Sequence, residues 1–315
     1  ISGTLITVSS NSWLGMWMGL EINLLSMIPL MSKLKNKMES EAAMKYLITQ
    51  AIASTIFLVS IIFNIWSKNQ EFISINIAIL TKMGAAPFHF WFPEVMSGLS
   101  WENSLILLTW QKIAPMVVLM YTNKNLMFLT IIIISSMLVS GIMGINQTDL
   151  RKIMAYSSIN HIGWMISSTL MIQPIWIIYL SIYSLISGTL IITMEYFNSI
   201  HMNQLLNSLK KQKIMKKTFI LNFLSMGGLP PFLGFLPKWI TINFMLENNL
   251  ILISLIMMMM TLTTMFFYMR ITFSNLMTKS ETTVKMSNNP PITIMMLNMI
   301  TLMSLVLCTF TLNFI

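Results

Sequence analysis

Glu21, Lys82, Lys112 and Lys238 stand inside stretches that are otherwise apolar enough for a lipid bilayer. Lys82 lies midway along 72–92, Lys112 near the middle of 104–121, and Lys238 beside Trp239 late in 218–246. A lysine at the centre of a transmembrane helix costs roughly 2.5–3.5 kcal/mol on insertion scales, so three unpaired ones add about 7–10 kcal/mol. A cost of that size is seldom carried without function. Glu21 sees only Leu24 and Leu25 three and four residues on, so a compensating cation must come from another helix. Burial favours the neutral amine of a lysine and a nearby carboxylate favours the ammonium, so a change of pairing changes proton affinity. The chemistry on offer is reversible proton uptake and release. A static ion pair needs the same residues, and the sequence leaves both readings open. His161, in Tyr156-Ser157-Ser158-Ile159-Asn160-His161, can extend a proton wire through water or serve as a hydrogen-bonded packing residue.

These residues need elements that hold them in the membrane, and two of those elements are expected to be broken. Met83-Gly84-Ala85-Ala86-Pro87-Phe88, followed by Phe92-Pro93-Glu94, is echoed by Met226-Gly227-Gly228-Leu229-Pro230-Pro231-Phe232, followed by Leu236-Pro237-Lys238. Proline removes a backbone donor and clashes with the preceding turn, which frees carbonyls that protein or water must satisfy at membrane depth. Interrupted helices at matching places in two halves point to an ion pathway, whereas a single kink only adjusts packing.

About twenty apolar residues cross a hydrocarbon core of about 30 Å. Eleven segments meet or approach that pattern: 1–10, 13–31, 42–66, 72–92, 104–121, 125–145, 152–172, 174–196, 218–246, 250–270 and 291–313. The chain reads as one all-α polytopic transmembrane domain over 1–315, with broken helices near 72–92 and 218–246. The first residue is Ile1, so the first helix is expected to be incomplete. The longest polar stretch, 198–217, reads as a basic loop carrying Lys210, Lys211, Lys213, Lys216 and Lys217. Fourteen basic residues, among them Lys33, Lys45, Arg151, Arg270 and Lys279, fall at one membrane side, against Lys68 and Lys124 at the other. Enrichment of Lys and Arg on the inner side then sets the orientation, with the amino terminus on the basic side.

Composition excludes several classes. Of 315 residues 55% are hydrophobic and 9% charged, with a net charge of +9 and a mean hydropathy of +0.73, far from the ~25% charge of soluble domains. The segregated basic residues fit membrane orientation rather than nucleic acid. Cys308 is the single cysteine, which excludes a disulfide framework, an iron–sulfur cluster or a thiolate zinc site built by this chain alone. His89, His161 and His201 have no i,i+4 partner and make no metal site. With 33 Met the chain reads as the product of an AT-rich organelle genome, Met replacing other aliphatic residues at little physical cost. Trp13, Trp66, Trp91, Trp101 and Trp239 sit at segment ends, where interfacial anchoring is expected.

Five motifs carry a resemblance: Trp17-Met-Gly-Leu-Glu-Ile-Asn-Leu-Leu25, Lys82-Met-Gly-Ala-Ala-Pro-Phe-His-Phe-Trp-Phe-Pro-Glu94, Leu107-Leu-Thr-Trp-Gln-Lys-Ile-Ala-Pro115, Asn146-Gln-Thr-Asp-Leu-Arg-Lys-Ile-Met-Ala-Tyr-Ser-Ser-Ile159 and Gly227-Gly-Leu-Pro-Pro-Phe-Leu-Gly-Phe-Leu-Pro-Lys-Trp239. Together they resemble the antiporter-like membrane subunits of mitochondrial respiratory complex I. The resemblance implies an antiporter-like fold with inverted repeats, in the mitochondrial inner membrane, with the basic loops toward the matrix. It implies a proton-translocating subunit without a redox centre or cofactor of its own, since NADH, FMN, iron–sulfur clusters and ubiquinone belong to the rest of the complex. Its implied partners are other membrane subunits, phospholipids, protons and internal water. In the family a glutamate modulates the lysine before the first break, and two further lysines complete the route. Those positions map to Glu21, Lys82, Lys112 and Lys238. A cation/proton antiporter subunit and a structural membrane spacer are the rival readings.

Overall fold

The Ser12 hydroxyl accepts the Gly15 amide at 3.2 Å and starts α2, Trp13–Met31, with the bounds expected from the sequence. The cap satisfies one of the four orphan donors of a helix start, so the boundary is legible in a single residue. In the computed structural model of the protein the described residues are 1–32, 36–67, 72–122, 125–171, 174–210, 212–230, 232–277, 296–299 and 301. Among them the architecture is all-helical, apart from an isolated bridge between Asp149 and His201.

Around α2 lie α1, Ser2–Ser9, and α3, Lys37–Ser67. The first broken helix is α4, Ile73–Met83, and α5, Trp91–Gly98. After α6, Trp101–Leu108, a 3-10 turn over Trp110–Lys112 leads into α7, Ile113–Tyr121. Then come α8, Leu126–Ile145, α9, Leu150–Met171, and α10, Ile175–Tyr196, followed by the short α11, Met202–Leu209. The second broken helix is α12, Lys213–Gly227, and α13, Phe235–Glu247, and α14 covers Ile251–Met277. Among the described residues six spans are long and apolar enough to cross a membrane. The segment expected over 291–313 lies almost wholly outside the described residues.

Two expectations change. The segment 104–121 is not one helix but α6 and α7 joined through the 3-10 turn. Pro115 has no amide hydrogen and its ring crowds the Gln111 carbonyl four residues back, so the α-helical ladder fails there. The segment 198–217 is not only loop. Leu205 and Leu209 are buried at i,i+4 on α11, and His201 with Gln204 forms a capping box at its start.

The helix α9 is surrounded by α5, α8, α10, α13 and α14. Protein surrounds it on every side, so it can be polar where a lipid-facing helix cannot. Ser157, Ser158, Asn160, His161, Ser167 and Ser168 are all buried on it. Its serine hydroxyls return to carbonyls of their own helix, as Ser157 to Met154 and Ser158 to Ala155, each at 2.7 Å.

The loops meet at one end of the bundle. Lys45 pairs with Glu94 at 2.9 Å, Arg151 donates to the Ser97 carbonyl at 3.1 Å, and Arg270 donates to the carbonyls of Ile145 and Gln147 at 2.6 and 2.8 Å. His201 pairs with Asp149 beside them. These basic residues were assigned to one side by loop parity, and their contacts join them in space.

Candidate functional site

At the first break, α4 stops on Gly84, whose φ of 74° lies in the left-handed region that glycine enters without strain. The Ala85 amide reaches back to the Leu80 carbonyl at 3.1 Å, closing a Schellman-type end. Gln50 of α3 donates to the Lys82 carbonyl at 3.3 Å, and the indole of Trp91 donates to the Thr81 carbonyl at 3.1 Å. Carbonyls at the break are thus satisfied by neighbours, and Trp91 works inside the break rather than as an interfacial anchor. Trp101 is likewise interior, buried beneath the Arg151 guanidinium.

The Lys82 ammonium is left free of such duty. Lys82 is 8% exposed. No ion pair within 4.0 Å joins it to Glu21 among the described residues, and Glu21 Oε2 is buried without a hydrogen-bond partner there. The direct pairing expected between Glu21 and Lys82 is therefore not made in this structure. A cavity of about 20 Å³ lies beside Lys82 and Lys112 and is lined also by Asn23, Tyr46, Gln50 and Gln111. That volume passes the ~10–15 Å³ needed for one water, and the lining offers the polar partners a water requires.

Lys112, 2% exposed, sits at the end of the 3-10 turn. Its Nζ donates to the Tyr183 hydroxyl at 3.4 Å and lies 4.5 Å from the centre of that ring. Tyr183 in turn faces the His161 ring, with centroids 4.8 Å apart, and His161 Nδ1 shares a 2.8 Å hydrogen bond with the Tyr179 hydroxyl. His161 Nε2 and Asn160 Oδ1 are buried without a partner among the described residues. Buried polar atoms are rarely left so, and internal water is the usual partner. His161 also lines a small cavity with Ser225, Met226, Gly234 and Pro237, residues at the second break.

At the second break, α12 ends on Gly228 with φ 83°. Gly234, just before α13, packs so close to the Ser225 carbonyl that no side chain fits there. Lys238, 6% exposed, reaches back from α13 and donates to the Gly227 carbonyl at 2.7 Å. It points into the protein and does not snorkel. Its Nζ lies 5.9 Å from the Trp164 ring centre.

Four of the residues expected from the sequence, Lys82, Lys112, His161 and Lys238, are thus buried in the interior along the breaks and the helices between them, while Glu21 makes no ion pair with any of them among the described residues. Sequence reasoning missed Gln50, Tyr179 and Tyr183. Tyr179 and Tyr183 are four residues apart on one helix, a spacing that puts both on one face and was the available signal.

Comparison with known proteins decides the family. The family described as NADH:quinone oxidoreductase/Mrp antiporter, TM, matches residues 10–72 and 62–265. NADH-ubiquinone oxidoreductase chain 2 of Anopheles gambiae is 48% identical over 88% of this chain and 84% of its own, and that of Aedes aegypti is 47% identical over 98% and 94%. The chain belongs to the NADH-ubiquinone oxidoreductase chain 2 family. A chain in the structure titled respiratory complex I from Thermus thermophilus with bound aureothin matches 99% of this chain and 77% of its own at a TM-score of 0.84 and 22% identity. A chain of the Mrp complex from Dietzia sp. DQ12-45-1b matches 98% and 74% at a TM-score of 0.80 and 14% identity. At those identities the likeness is one of fold. The chain 2 family assignment and the antiporter-like fold thus agree with the interrupted helices and their lysines.

Proposed function

We propose that the chain is a proton-translocating membrane subunit of respiratory complex I. It couples NADH:ubiquinone electron transfer in other subunits to proton movement through Glu21, Lys82, Lys112 and Lys238, with His161 as a relay between the last two. The observation that carries this reading is the Lys112–Tyr183–His161 contact chain, which leads from the cavity beside Lys82 through buried polar groups to the helix packed against the second break. In this account the chain holds no redox centre and sits in the mitochondrial inner membrane with its amino terminus and lysine-rich loops toward the matrix. Other membrane subunits and lipids cover its apolar faces.

A change of field or hydration along this row alters how strongly Glu21 acts on Lys82. A proton then passes through the polar cavity to Lys112, and by way of Tyr183 and His161 toward Lys238. Moving one charge against 100 mV takes about 2.3 kcal/mol, which a roughly fiftyfold change in a lysine's proton affinity supplies. The native chain should migrate in a large NADH-oxidising assembly when mitochondrial membranes are solubilised gently. Its consistent absence from that band would defeat the reading. The likeness to an Mrp chain keeps a free-standing cation/proton antiporter as the second reading, distinguished by sodium-dependent transport without NADH oxidation.

A further inference from the structure

A cleft of about 600 Å³ opens between α13 and α14 beside the second break. Its walls are aliphatic, with Ile242, Leu255, Met258 and Leu262 among them, and it contains the side chains of Lys238 and Trp164. Lys238 has three N–H donors and, among the described residues, one protein acceptor, the Gly227 carbonyl. Trp164 is fully buried and its indole Nε1 has no partner among the described residues. Glycine keeps the approach clear, because a Cβ on Gly228 would stand 2.9 Å from the Lys238 Nζ. None of the residues lining the cleft is an aspartate or glutamate. A buried ammonium with N–H donors to spare thus lines an apolar slot in which no described residue supplies an anion.

We propose that this cleft binds a single-chain amphiphile with a carboxylate head, a long-chain fatty acid, its head accepting from Lys238 and its tail along α14. The volume falls in the roughly 300–1,000 Å³ range of small-ligand pockets and suits one tail. A carboxylate is the small anion that brings the least additional polar surface into apolar surroundings, whereas a phosphodiester headgroup brings more polar surface that must be satisfied. The proposal concerns binding and stands whether or not the proton relay does.

The test is photolabelling of the intact, purified complex with a sixteen-carbon fatty acid bearing a diazirine near its tail, followed by peptide mapping. Expected is labelling within α14, at Met258 or its neighbours. Palmitate should displace it, hexadecanol should be roughly tenfold or more weaker, the scale of losing a charge-assisted hydrogen bond, and Leu262→Trp, which fills the slot, should abolish it. Equal competition by hexadecanol would overturn the proposal by removing the role of the carboxylate. Stronger labelling by a diazirine-bearing phosphatidylglycerol would overturn it in favour of an ordinary bilayer lipid, and absence of any label on α13 or α14 would overturn it outright.

Discussion

The two broken helices end their first halves alike, on a left-handed glycine, yet use their lysines differently. Lys82 belongs to the last turn of α4, where the negative end of the helix dipole favours a cation, and its neighbours Gln50 and Trp91 take over the exposed carbonyls. Lys238 comes from the second half of its broken helix and reaches back across the gap, so that its own ammonium caps the Gly227 carbonyl. Both ammoniums reach the same kind of place, the carboxyl end of the first half-helix, by different routes. In the proposed relay the first lysine is the one free to respond to Glu21. The second is tied to the integrity of the break.

That contrast can be broken by substitution. Lys82→Met should leave the complex assembled while cutting proton transfer through this subunit by on the order of a hundredfold, the lower range for removal of a positioned proton-transfer group; proton uptake per NADH in proteoliposomes reads the result. Lys238→Met should cost transport as well as stability, because it leaves the Gly227 carbonyl unsatisfied at about 1–3 kcal/mol. Lys238→Gln should recover thermal stability of the complex without recovering transport. If Lys82→Met lowers assembly as much as Lys238→Met does, the distinction between the two breaks is wrong. Tyr183→Phe, which keeps the ring and removes the acceptor of Lys112, should slow transport by roughly tenfold or less, the scale of one charge-assisted hydrogen bond. Gln50→Leu should have the smallest effect, a loss of about 1 kcal/mol in the melting of the complex with transport nearly intact.

Much of this was legible in the sequence where a local pattern decides the outcome. The apolar run 13–31 gave the bounds of α2, and the Gly-Pro repeats marked both breaks. The interruption before Lys112 escaped because hydropathy over 104–121 is continuous, although Pro115 had already disabled the helix ladder at Gln111. The helix α11 was hidden inside a lysine-rich stretch, since only Leu205 and Leu209 carry its buried face. The buried lysines announced themselves by the cost of carrying charge in hydrocarbon. Their partners did not. Tyr183 and Gln50 are unremarkable in a chain of this composition until α10 and α3 are packed against the breaks, and the absence of a direct Glu21–Lys82 contact is a matter of side-chain distance that no spacing encodes.

The most direct test of the connected row is the ratio of protons moved to electrons passed in the fully assembled complex carrying Lys112→Met. The account predicts a lower ratio with the NADH-oxidising modules still electron-competent, because Lys112 is the residue that joins the cavity beside Lys82 to Tyr183 and His161. An unchanged ratio in an assembled complex would contradict it and leave the buried lysines as packing elements of a structural spacer.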